Sequence, residues 1–187
     1  TQASAIGNNA IKSDGTSTAA AAGTVAGTIR ANTTALQTFT VQGNGTTSTY
    51  AAAAGASAYA IAQGINAASG STGVSATATT TATLSAFTAG SQSFTIQGAP
   101  KADGSANPVT VTATMATATD VGGLAAAINA QSGVTGINAI ADTATGKISL
   151  TQSQGYDIGV TNNLTANNST TLTGASGAGV ALVRGAT

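Results

Sequence analysis

Residues 119–140 read TDVGGLAAAINAQSGVTGINAI, and this stretch decides the fold. Val121, Leu124, Ala125 and Ile128 stand at i, i+3, i+4 and i+7, which puts them on one face of a short helix. Thr119 or Asp120 is the expected N-cap, because a short side-chain oxygen there accepts from an amide of the first turn. Gly133 is the expected helix stop, and Ile137 opens a strand. Asn129, near the helix end, is expected to satisfy backbone groups there. The stretch carries one carboxylate and neither His nor Cys, so it is not equipped for catalysis.

An upstream version occupies residues 56–76, ASAYAIAQGINAASGSTGVSA. Ile65 maps onto Ile128 at an offset of 63 positions. The same offset carries Ser57 to Asp120, Asn66 to Asn129, Gly70 to Gly133, Gly73 to Gly136 and Val74 to Ile137. Here Ser57 is the expected cap, and Ala58, Ile61, Ala62 and Ile65 form the apolar stripe. Cap, stripe, stop and strand start all coincide, so the unit is repeated.

Each helix is preceded by an alternating apolar-polar run, the mark of a half-buried strand. Phe39-Thr40-Val41-Gln42-Gly43 matches Phe94-Thr95-Ile96-Gln97-Gly98 at an offset of 55. The change from 55 to 63 implies an eight-residue insertion, placed in the loop bounded by Pro100 and Pro108, since loops tolerate added length. Residues 109–114 (VTVTAT) form the clearest strand. Residues 46–54, with Tyr50, read as a loop or a weak strand. Residues 74–87 read as a hairpin, and 137–141 with 147–152 as a second one turning through Asp142 and Gly146. Residues 157–161 add a further strand.

The expected fold class is α+β, mostly β: two tandem β-rich modules of antiparallel strands and hairpins, each with one short helix. Residues 1–35 form a low-complexity connecting segment with a turn at Asp14-Gly15. Residues 36–92 are the first module and 93–161 the second. Residues 162–187 are a return segment, ending in a strand at 179–184 whose expected partner is the N-terminal segment.

Composition narrows the function. Only 5% of the 187 residues are charged, with five cations, five Asp and a net charge of zero. Ordinary soluble domains carry about 25%, so Thr, Ser, Asn and Gln must supply the polar surface. Five scattered cations cannot build the phosphate-neutralising patch that nucleic acid requires. No apolar run approaches the roughly 20 residues of a membrane helix. No signal peptide is visible. The chain begins without Met and is expected to be an excised fragment. Lack of Cys fits passage unfolded through a narrow export channel, and it fits many ordinary bacterial proteins too.

The second repeat resembles the flagellin hook IN motif. The residues that carry the resemblance are 93–98 (SFTIQG), 124–131 (LAAAINAQ), 133–139 (GVTGINA), 147–151 (KISLT) and 157–160 (DIGV). Two copies cover about 36–161. The first departs from the pattern: residues 59–64 (YAIAQG) replace the usual Leu-Ala-Ala, and its last hairpin has no Gly turn. The resemblance implies an outer, surface-exposed domain of flagellin in the bacterial flagellar filament, secreted and extracellular. Its implied partners are other flagellin subunits, joined through terminal regions absent here, with O-linked glycans on exposed Ser and Thr. It implies a structural role in motility, with no enzyme activity, cofactor or metal. The structural repeat positions are Phe39, Ile61, Ile65, Asn66, Phe94, Leu124, Ile128 and Asn129.

Other chemistries fare worse. The Asp residues are dispersed among turns and caps, whereas acid-base work needs two acids converging in one pocket. The Gly-x-Thr-Gly runs at 70–73 and 133–136 follow their helices, whereas a phosphate loop precedes its helix. Two alternatives stay open: the outer domain of a hook-associated or filament-cap protein, and a cell-surface adhesive or carbohydrate-binding module using Tyr50, Tyr59 or Tyr156.

Overall fold

The structure is a computed structural model, and it describes residues 18–19, 32, 34–164, 170–174 and 179–182. The expected turn at Asp14-Gly15 lies outside them. The elements run, in chain order, β1 (Thr18–Ala19), β2 (Gln37–Gly43), β3 (Thr46–Ala52), α1 (Ala58–Asn66), α2 (Ser69–Thr72), β4 (Thr80–Ser85), β5 (Gly90–Gln97) and β6 (Val109–Met115). They continue with α3 (Gly122–Asn129), α4 (Ser132–Thr135), β7 (Ile137–Asp142), β8 (Lys147–Gln152), β9 (Gly159–Asn162), β10 (Thr171–Gly174) and β11 (Gly179–Ala181). The mostly β, α+β expectation holds.

Three sheets form: β2-β3 as a pair, a four-stranded sheet in the order β1-β9-β5-β6, and a five-stranded one in the order β11-β10-β4-β8-β7. Among the described residues every pairing is antiparallel except β1 with β9. The two larger sheets and α3 share one core. Phe94, Ile96, Val111 and Met115 come from the first of these sheets. Leu84, Ile148, Leu150 and Leu172 come from the second, and Val121, Leu124 and Ile128 from the helix turn. Alternation explains the strands: in β8 Ile148, Leu150 and Gln152 are buried while Lys147 and Ser149 face water. A second, much smaller core holds Ala52, Ile61 and Ile65, with half-buried Phe39, Val41 and Tyr50 around it.

Several local expectations need correction. Of the two readings of 46–54 the strand is the one found, over 46–52 and paired with β2 from Gly43↔Thr46 back to Gln37↔Ala52, because Asn44-Gly45 is a ready two-residue hairpin turn. Gly70 and Gly133 do not stop their helices. Each sits inside a second short helix, α2 or α4, which ends at Gly73 or Gly136 in the left-handed conformation. Ser57 caps α1 as expected, its side chain accepting from Ala60 N. Neither Thr119 nor Asp120 caps α3: the N-cap is Val121, with no side-chain bond. Asp120 Oδ2 instead accepts from Ala116 N, closing the turn that leads into the helix.

The expected hairpin at 74–87 does not form. A single strand, β4, follows an extended segment and pairs with β8 on one side and β10 on the other. The reason lies at the turn. In the second repeat Asp142 Oδ1 accepts from the amides of Ala144 and Thr145, and Gly146 adopts φ +64°. The matching positions in the first repeat are Thr79 and Thr83. A β-branched residue strongly disfavours that φ, so the chain runs straight on and adds its strand to the second repeat's sheet.

The eight-residue insertion lies where expected. Two residues join β2 to β3, whereas residues 98–108 join β5 to β6. In the terminal regions, β1 pairs with β9 and β11 with β10. The remainder of the N-terminal segment, and so most of its expected pairing with 162–187, lies outside the described residues.

Candidate functional site

The feature built most carefully, and built twice, is a side-chain clasp at the end of each long helix. Asn66 Nδ2 donates to Ala76 O at 2.9 Å, and Asn66 Oδ1 accepts from Ala76 N at 2.7 Å. Asn129 does the same to Ala139, at 2.8 and 2.7 Å. One amide, with a donor and an acceptor side by side, pairs with both polar groups of one backbone residue. It acts as a one-residue surrogate strand. The expectation of backbone satisfaction at the helix end identified the chemistry but misplaced the partner, which lies ten residues onward.

Thr72 and Thr135 extend the clasp, and sequence reasoning missed them. Both are fully buried. Each hydroxyl donates back to a carbonyl four residues earlier, Ala68 O or Gln131 O, and accepts from the amide two residues on, Val74 N or Ile137 N. The available signal was their shared place in the Gly-x-Thr-Gly runs. The Thr72 and Thr135 carbonyls in turn press on Gly43 and Gly98, where a Cβ would collide with the carbonyl oxygen. Glycine is required there because backbone meets backbone. This contact independently links the 55-offset strands to the 63-offset helices.

In the second repeat the clasp covers a sheet edge. β7 is the outermost strand of the five-stranded sheet. Neighbouring residues of a strand present their polar groups to opposite sides. Ile137 and Ala139 therefore both face away from β8, and Thr135 and Asn129 occupy those two positions. Exposed strand edges invite pairing with other chains, and covering them is a common protection.

The other repeat positions divide by core. Leu124, Ile128 and Phe94 are buried in the large core, with Phe94 edge-on to Phe87 at 6.3 Å between ring centroids. Ile61 and Ile65 are buried in the small one, where Phe39 is only half-buried. Phe94 of the second repeat is thus enclosed and its counterpart is not.

The tyrosines do not form an open platform. Tyr50 lies with its ring against Gly64 and donates to Ala60 O at 3.3 Å. Tyr59 stacks on Tyr156. A shallow groove of about 340 Å³ lies over the outer face of the five-stranded sheet, lined by Thr81, Thr83, Ser149, Thr151 and Thr173. Its lining has hydroxyls but no charged group. Among the described residues there is no cluster of three potential metal ligands, and no helix long and apolar enough to cross a membrane.

Among the described residues one carboxylate, that of Asp157, is largely withdrawn from water. Asp157 Oδ2 accepts from Asn32 Nδ2 at 2.7 Å, while its Oδ1 has no partner among the described residues. Burial pushes its pKa up, and the Asn32 bond only partly opposes that. The protonated form is therefore the better buried one. Its stabilising contribution is fully present below the ordinary carboxylate range, about 3.9, and is lost as pH rises through the raised folded value. Asp103 and Asp142 go the other way, because hydrogen bonds from Ser105 and Thr145 hold their pKa values down. Their contribution is lost only at the acid end. Asp157→Asn is expected to raise the urea midpoint at pH 7 and to flatten its dependence between pH 7 and about 4. Equal slopes for both proteins in that window would refute the assignment.

Comparison with known families matches the flagellin hook IN motif twice, at residues 38–90 and 93–154, together more than half of the chain. A comparison with curated proteins finds no match. Each matched segment contains its own clasping asparagine, buried threonine and glycine contact, and the chain belongs to the flagellin hook IN motif family.

Proposed function

We propose that this chain is the outer, solvent-facing portion of a flagellin, a non-enzymatic structural part of the extracellular flagellar filament that serves motility. Two modules, about 36–92 and 93–161, make up this portion, and the first lends β4 to the sheet of the second. Its partners are other flagellin subunits, reached through regions outside this sequence, and its exposed Ser and Thr present a neutral surface open to glycans. The observation that carries this reading is the doubled clasp: the side chains most exactingly placed in the molecule bond only to its own backbone. They hold a shape.

Immunogold labelling of intact flagella with antibodies against this chain tests the proposal. Label is expected along the whole filament. Label confined to the hook junction or to the tip would transfer the chain to a hook-associated or cap protein. A cell body labelled without its flagella would end the flagellar reading altogether.

A further inference from the structure

Tyr59 and Tyr156 lie far apart in sequence and meet ring on ring. Tyr59 belongs to the first turn of α1, and Tyr156 to the segment between β8 and β9. Their ring centroids are 4.1 Å apart and the planes are 24° from parallel. The backbone is fastened at the same place, where Tyr59 N–H donates to Gly155 O at 2.8 Å. The hydroxyls adjoin as well. The Tyr59 oxygen accepts from Gln63 Nε2 at 3.0 Å, and the neighbouring Tyr156 hydroxyl holds the Tyr59 pKa down while its own is held up. Stacked rings with their hydroxyls at the same end bring the carbons ortho to each hydroxyl close together.

Nothing else in the chain competes strongly for an oxidant. There is no Cys, Trp or His, and the only Met, Met115, is 2% exposed. The third tyrosine, Tyr50, is engaged with Gly64 and Ala60. Tyr59 and Tyr156 are each half-buried, as Tyr50 is, but of the three tyrosines these two lie ring on ring.

We propose that Tyr59 and Tyr156 form an oxidative coupling site, at which a peroxidase-class one-electron oxidant supplied with peroxide joins the two rings through their ortho carbons. Each phenol gives up one electron and one proton. The two phenoxyl radicals pair to make one carbon–carbon bond, and the hydrogen on each joined carbon then moves to oxygen as the rings regain aromaticity. The protein loses two hydrogen atoms in all, and one peroxide is reduced to two waters. The Tyr156 hydroxyl and Gln63 together hold the Tyr59 pKa down, which favours loss of its proton. The new bond closes the chain between α1 and the approach to β9. It thereby removes freedom from the unfolded state, as a long-loop disulfide does.

The test treats dilute protein with peroxidase and hydrogen peroxide, then isolates the monomer for peptide mass analysis. The expected product is a joined pair of peptides containing residues 59 and 156, two hydrogen atoms lighter than the separate peptides, with dityrosine fluorescence and a raised Tm. Tyr59→Phe and Tyr156→Phe each keep a ring for stacking and are expected to abolish it. Tyr50→Phe is expected to leave it intact, and prior unfolding in urea to remove it. Coupling found only between molecules, coupling that survives Tyr156→Phe, or equal yield in urea would overturn the proposal.

Discussion

Asn129→Ala is expected to cost about 2–4 kcal/mol of stability. Two hydrogen bonds to Ala139 disappear, each worth roughly 1 kcal/mol net, and any partner group left dry adds a further 1–3 kcal/mol. Ala139 is only 6% exposed, which argues for the upper half of that range. The loss would appear as a lower urea midpoint with little change in slope. A second effect should accompany it. The uncovered edge of β7 carries Ile140, whose side chain is 70% exposed, and edges of that kind associate. Size-exclusion chromatography at rising concentration should therefore show self-association in the variant and not in the parent. Asn129→Asp supplies the control. Its carboxylate would oppose the Ala139 carbonyl at neutral pH, whereas the protonated acid could donate to it. That variant's stability should recover on acidification toward about pH 4 and fall as pH rises. A midpoint within 0.5 kcal/mol of the parent for Asn129→Ala, roughly the limit for surface changes, would mean the clasp is ornamental.

Truncating the two equivalent helix positions should give different outcomes from the same chemistry. Ile128→Ala and Ile65→Ala each remove a buried aliphatic side chain, a change that costs about 2–5 kcal/mol. Ile128 lies in the core shared by both larger sheets and α3, so its loss should lower the global unfolding midpoint. Ile65 shares its core with only Ala52 and Ile61 as fully buried apolar neighbours. A loss of that size exceeds what so small a core can absorb, and a unit with few buried contacts opens on its own. Native-state hydrogen exchange on Ile65→Ala should show protection vanishing across β2, β3 and α1 while β5, β8 and β9 keep theirs. Uniform loss throughout the molecule would show that the small core is not a separate cooperative unit.

The contrast between the repeats also shows what could be read from residues. The stripes at Ile61/Ile65 and Leu124/Ile128 were legible because helical spacing puts apolar groups on one face whatever the context. The cap at Ser57 was legible because a local serine hydroxyl suffices. The cap at Asp120 was not, because its carboxylate had a competing amide at Ala116. Thr72 and Thr135 read as two more threonines in a chain full of them. Their shared place in the Gly-x-Thr-Gly runs marks the position, but only burial and their carbonyls' contact with Gly43 and Gly98 show its purpose.

The sequence by itself determined the repeat, the two helices with their apolar faces, the place of the insertion, and the absence of His and Cys. These depend on residue type and short-range spacing. Tertiary structure decided where β4 went. Whether residues 74–87 fold back or run on depends on a Gly146-like turn, which Thr83 cannot replace, and on a vacancy between β8 and β10 in a sheet built mostly from later residues. It also decided that each asparagine would bond across ten residues, Asn66 to the extended segment before β4 and Asn129 to β7. Partners brought together only by folding leave no periodic trace in the chain, so the sequence could name the amide and not its purpose.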